Sequence, residues 1–164
     1  MADYLISKWS ASSWLLAGAL LLPACSDFPK DPEKTLKRVE NGTLVVGYSE
    51  NPPWVVQGNP EPTGIEPALV KAFAQTLHAR VRWRKGTEQT LFEDLEKRKI
   101  DLLIAGLTDE SPWKNEKAGF TRSFVEHRKK KHVMAAIQGE NAFVMRLEEF
   151  LYQREAAIAQ RTQP

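Results

Sequence analysis

The chain has 164 residues, 42% hydrophobic and 27% charged, which supports one globular domain with a modest core. Its 23 Lys and Arg against 21 Asp and Glu leave a charge of +2, too near balance to argue for a nucleic-acid partner. One cysteine excludes an intrachain disulfide and a cysteine-built metal cage, and His78, His127 and His132 show no ligand spacing, so no metal or cofactor is expected.

No charged residue lies between Lys8 and Asp27, and Trp14–Ala24 is a short apolar run behind a cationic start. That is the layout of a secretory signal, and the run is short for a membrane span. Cys25 follows Leu22-Pro23-Ala24 directly, an arrangement that resembles a bacterial lipobox. The resemblance implies a signal peptide over residues 1–24 and lipid on Cys25, which becomes the mature N-terminus. Two acyl chains suffice for stable anchoring. An uncleaved signal anchor and ordinary cleaved secretion are the alternatives. Residues 25–34 then read as a tether, 35–152 as one α/β lobe, and 153–164 as a helix end and tail.

Asp31-Pro32-Glu33 has the form of a helix start, with Gly42 as its stop. Thr43–Tyr48 is a short apolar strand ended by Pro52 and Pro53. Ile65, Leu69, Ala72, Phe73 and Leu77 form a helical stripe. Arg80–Arg84 alternates, with arginine on every outward position, as suits an edge strand. A short helix around Leu91 and Leu95 precedes Ile100–Ala105, whose near-continuous apolarity suits a strand buried on both faces. Phe120–Val125 is a possible strand, Lys131–Ile137 a last one, and Asn141–Gln160 a long amphipathic helix. The β-α-β-α-β order calls for a parallel sheet covered by helices.

Several stretches in this order resemble solute-binding protein family 3, the type II periplasmic amino-acid receptors of ABC importers. They are Leu44–Tyr48 with Pro52-Pro53-Trp54, Gly64–Leu69, Leu95–Thr108 and Phe120–Phe124. The resemblance implies one lobe of the type II periplasmic binding protein fold, with a mostly parallel five-stranded sheet flanked by helices. Such receptors carry a second lobe after the segment matching Phe120–Phe124. Here only Val125–Lys130 intervenes before the returning strand, so the second lobe is expected to be missing.

In an open parallel sheet the ligand crevice lies beyond the carboxyl ends of the strands. That edge is built from Ser49–Trp54 and Gly106–Lys114, and the expected ligand-binding residues are Ser49, Glu50, Trp54, Glu66, Gly106, Thr108 and Lys114. The family places an aromatic over the ligand, which Trp54 matches; alternatively Trp54 plugs the lobe's own surface. Lys114 falls where the family's carboxylate-clamping arginine would be, and a solvated lysine is the other reading. Glu66 matches an acidic position that also suits a helix N-terminus. Arg128–His132 is a charge run that is either a solvated hairpin or a contact for anionic lipid or an acidic partner.

No nucleophile elbow, zinc motif, phosphate loop or Ser/His/Asp set is readable, so the chain is expected not to be an enzyme. Together these readings describe an envelope lipoprotein on the periplasmic side. It would bind a small amino-acid-like or anionic solute weakly, or with a homodimer partner, near an ABC permease or another envelope protein. A non-transport interaction or sensory module is the alternative.

Overall fold

The computed structural model describes residues 31–113 and 118–162, so the signal, Cys25 and Lys114 lie outside the described residues. The elements in chain order are α1 (Thr35–Val39), β1 (Thr43–Tyr48), α2 (Ile65–Thr76), β2 (Arg80–Lys85), α3 (Glu88–Glu96) and β3 (Leu102–Ile104). They continue as β4 (Ala118–Phe120), β5 (Val125–His127), β6 (Lys130–His132), β7 (Ala135–Ile137), α4 (Asn141–Tyr152) and α5 (Glu155–Thr162).

Five strands form one sheet in the order β2-β1-β3-β7-β4, and β5 pairs with β6 in a separate hairpin. β1 runs parallel to β2 and β3, whereas β7 is antiparallel to both β3 and β4. Four of the five strands therefore point one way and β7 alone opposes them. β2 is the edge, as its arginines lead one to expect: Arg80, Arg82 and Arg84 are exposed and Val81 and Trp83 half-buried.

Alternation along β1 divides the interior into two layers. Leu44, Val46 and Tyr48 face α2 and α4 through Phe73, Phe143, Leu147 and Phe150. Val45 faces α3 through Leu91 and Leu95, with Ile100 between α3 and β3 in the same layer. Gly47 points to that second layer, where an added Cβ would stand 2.5 Å from Ile100 Cδ1 and 2.9 Å from Leu91 Cδ2. Its missing side chain is what lets α3 seat so closely.

The first helix starts later than its sequence suggests, at Thr35, because Asp31 is engaged elsewhere. Its Oδ2 accepts from the Leu36 amide at 2.7 Å and its Oδ1 from the Phe143 amide at 3.2 Å. Buried Glu140 returns the exchange, accepting from the Glu33 and Thr35 amides at 3.0 and 3.1 Å. Two carboxylates thus bind the start of α1 to the start of α4. A third, buried Asp101, accepts from the Val45 amide at 2.9 Å and pairs with Arg38.

Two sequence expectations need correction. Lys131–Ile137 is not one strand: the chain leaves β6 at His132 and joins the main sheet as β7 at Ala135. Thr121 occupies the crossing, its Oγ1 accepting from the Met134 amide at 3.0 Å while its own amide donates to the Met134 carbonyl. Asn141–Gln160 is likewise two helices, broken at Gln153-Arg154. The guanidinium of Arg154 lies 3.8 Å from the Phe150 ring centroid, and Ile158 turns into the core beyond the break.

Gly47→Ala is expected to cost about 1–3 kcal/mol, because the methyl overpacks the contact with Ile100 and Leu91. Chemical denaturation measures it, and an unchanged midpoint would count against the close seating of α3.

Candidate functional site

Three connections end at the carboxyl edge of the sheet. The loop after β1 folds back on itself through paired backbone bonds between Asn51 and Val55. Asn51 Nδ2 then donates to the Ala105 carbonyl at 2.8 Å, tying that loop to the end of β3. Gly106 turns there with φ +62°, and a Cβ on it would stand 2.6 Å from Asn51 Nδ2 and 2.9 Å from Trp54 Cδ1. The position therefore excludes side chains both by conformation and by space.

Glu66 lies beneath this junction, fully buried in the first turn of α2. Its Oε2 accepts from the Gly106 amide at 2.9 Å, while Oε1 is buried with no partner among the described residues. Burial pushes its carboxyl up to about 8, against the opposing pull of the Gly106 and Ala105 backbone. It is a neutral acid at neutral pH.

The β5–β6 hairpin covers the junction from outside. It is anchored to the loop after β3 by backbone bonds from Asp109 to Lys131 and from Val133 to Leu107, and its own base is closed by one from Phe124 to His132. Trp54 is not an exposed recognition surface; it is 5% exposed, its ring stacked on His132 at 3.6 Å between centroids and set edge-on to His127 and Phe124. His132 is buried as well, with Nδ1 unpartnered among the described residues. Burial, then the charges of His127 and Lys130, lowers it to about 4.

An open cleft of about 260 Å³ remains between the hairpin and the two loops. Trp54, Gly106 and Thr108 line it, together with Asn51, His127, Arg128, Lys130 and His132. Of the residues expected from sequence, Glu66 sits under the floor rather than on the wall. Ser49 instead donates its amide to the Ile104 carbonyl, and exposed Glu50 accepts from the Gln57 amide. Sequence reasoning noticed the Arg128–His132 run as charge but did not bring it to the crevice. Its signal was the shortness of the connection between Phe124 and Lys131, which leaves room only for a hairpin folded onto the edge it leaves.

A larger hollow of about 400 Å³ opens at the opposite edge, among Arg38, Arg82, Arg98, Lys99 and Asp101. Most of its cations are already committed: Arg38 to Asp101, Arg98 to Glu140 and Glu33, Lys99 to Asp94. The cations of the smaller cleft have no carboxylate partner among the described residues, so the smaller cleft has the unspent chemistry. No group of acidic, His or Cys residues able to hold a metal ion occurs among the described residues.

The sequence model of the bacterial extracellular solute-binding proteins, family 3, matches residues 44–159. Membrane-bound lytic murein transglycosylase F of Vibrio cholerae is 31% identical over 109 residues, which is 65% of this chain and 20% of that one. The protein of the same name from Vibrio campbellii is 32% identical over 107 residues, 64% of this chain and 20% of that one. The chain thus spans about a fifth of the length of these curated relatives.

Among solved structures, the Phe57Trp mutant of arginine-bound domain 1 of TmArgBP superposes with a TM-score of 0.65 at 21% identity, covering 73% of this chain and 97% of that one. The ancestral cationic amino-acid solute-binding protein AncCDT-1 gives 0.66 at 14% identity, over 78% and 99%. An ancestral cyclohexadienyl dehydratase, AncCDT-3(P188L), gives 0.64 at 15% identity, over 75% and 91%. The fold is accordingly one lobe of the periplasmic binding protein type.

These names overturn the expectation that the chain is not an enzyme, since relatives in sequence and in fold are named as enzymes. The absence of a readable catalytic motif was too weak a ground. This fold serves binding and catalysis alike, and function follows the site rather than the fold.

Two of the buried titratable groups, Glu66 and His132, act oppositely on stability. Glu66 has a folded pKa above its unfolded value, so stability falls as pH rises from about 4.5 to about 8. His132 has a folded pKa below its unfolded value, so stability falls as pH drops from about 6.5 to about 4. The slopes cancel where the windows overlap, and Glu66 acts alone above about 6.5. Thermal denaturation should show a decline of about 2 kcal/mol from there to pH 8. Glu66→Gln is expected to flatten it, and a variant that keeps the full decline would assign it to another group.

Proposed function

Because the chain belongs to the bacterial extracellular solute-binding proteins of family 3, we propose that it holds a small solute in the cleft beside Trp54, Gly106 and Thr108. The observation that carries this reading is a concave site at the carboxyl ends of β1 and β3 whose Arg128 and Lys130 lack a carboxylate partner among the described residues. The hairpin stands as a second wall where receptors of this type use a second lobe. A half-walled cleft of this size encloses a small ligand incompletely, so capture is weak or completed by a partner, such as a second copy or a permease. Ser49, Glu50 and Glu66 then act as support for the loops around the solute.

The protein acts at the bacterial cell envelope, on the periplasmic side, held by lipid on Cys25. The family and the membrane-bound relatives support an envelope location, and the position of Cys25 after the apolar run supports the anchor. Among the described residues no helix is long and apolar enough to cross a membrane.

A second reading is that the lobe serves a murein-cleaving enzyme as its recognition part. It is favoured by the 31% identity to a transglycosylase of which the chain matches 20%. Co-sedimentation with purified murein sacculi is the expected sign of that role.

A thermal-shift panel of amino acids, amines and organic anions tests solute binding. At least one class should raise the Tm, and Thr108→Trp, which fills the cleft mouth, should abolish the shift. Silence across the panel would overturn the reading. Mass spectrometry of the protein from membranes should find diacylglycerol on Cys25, with Cys25→Ser released to the soluble fraction. An unmodified Cys25 in the membrane-bound protein would overturn the anchor.

A further inference from the structure

The character of the cleft is set by what lines it and by what does not. Among its described lining residues are two cations, two histidines, Asn51 and Thr108, and no aspartate or glutamate. Glu66, the nearest acid beneath the floor, is buried under Gly106 and held in its neutral form, so it contributes no counter-charge. A solute with an ammonium or guanidinium group would meet only like charge here. Resting on the reading of the cleft as a solute site, we propose that it selects a small oxyanion-bearing solute, a dicarboxylate or a phosphate, over the cationic amino acids named for its structural relatives.

The hairpin supplies the selectivity. Its two-residue turn is Arg128-Lys129, with φ of +52° and +63°, the left-handed pair that Asn-Gly ordinarily fills. Each ordinary residue held there costs about 1–2 kcal/mol. None of Arg128, Lys129, Lys130 and Lys131 forms an ion pair with a carboxylate among the described residues, and across the hairpin strands only Lys131 has an acid opposite it, Glu126. A bound oxyanion neutralises Arg128 and Lys130, the two cations that line the cleft. A cleft of about 260 Å³ has room for a molecule the size of succinate or phosphate, so charge rather than size makes the selection.

Titration calorimetry on the full chain in mild detergent, at neutral pH, with succinate, inorganic phosphate and L-arginine as separate arms, tests this. Succinate or phosphate should bind at least about tenfold more tightly than arginine, and less tightly as salt is raised. Which of the two binds better distinguishes carboxylate from phosphate as the natural group. Arg128→Asn combined with Lys130→Gln should weaken anion binding by about tenfold or more. Asn suits the left-handed turn better than Arg, so the loss cannot be charged to a misfolded hairpin. Lys129→Gly, outside the cleft lining, should raise the Tm and keep the anion affinity. Arginine binding as tightly as the anions, or anion affinity unmoved in the double variant, overturns the selectivity and leaves the solute site standing. No heat in any arm overturns both.

Discussion

Everything at the carboxyl edge of this sheet hangs on the hydrogen bond from the Gly106 amide to the buried carboxyl of Glu66. It joins the first turn of α2 to the turn after β3, and both ends need particular residues. Gly106 is required because any side chain would strike Asn51 and Trp54. Glu66 needs a donor because a carboxyl fully removed from water is otherwise left unsatisfied. With that bond in place Trp54 is trapped above Gly106, and the ring becomes the platform on which His132 stacks. The hairpin is therefore positioned by the loops beneath it rather than by its own two short strands, which would be marginal alone.

Much of the lobe was legible because its signals are local. Thr43–Tyr48 and Arg80–Lys85 announce themselves by apolar continuity and by alternation, and the stripe from Ile65 to Leu77 by helical spacing. The family resemblance then supplied the order of the parts. The return path was less legible. Nothing between Lys131 and Ile137 marks the change from hairpin to sheet, since the crossing is dictated by Thr121, which is remote in sequence. The break between α4 and α5 carries neither Gly nor Pro; it arises from Arg154 folding over Phe150 and from Ile158 seeking the core. The site was half legible for the same reason. Trp54, Gly106 and Thr108 follow from strand ends, but His127, Arg128, Lys130 and His132 reach the cleft only through tertiary folding.

The two edges of the sheet differ in how completely their polar groups are satisfied. At the amino edge Asp31, Glu140 and Asp101 accept backbone amides from neighbouring elements, and Arg38 and Arg98 beside them have carboxylate partners. Burial alone would raise the Glu140 carboxyl, yet its donors, the Glu33 and Thr35 groups and Arg98, hold it below the usual carboxylate range. Such an arrangement stiffens one end of the lobe and leaves little for a ligand to improve.

At the carboxyl edge the balance reverses. Oε1 of Glu66 and Nδ1 of His132 are buried without partners among the described residues, two ordinary residues are held in left-handed conformation, and Arg128 and Lys130 line the cleft with no acid beside them on its wall. Each buried unpartnered atom and each left-handed residue lowers stability by something on the order of 1–3 kcal/mol. Selection for stability alone would remove them, and simple changes such as Lys129→Gly would do so. Unsatisfied groups and strain concentrated at one end, beside well-satisfied groups at the other, are expected where a molecule must bind what the chain itself does not supply. Where a two-lobed receptor closes over its solute with a second lobe, this lobe presents a hairpin whose Arg128 and Lys130 line a crevice that is charged and only partly covered.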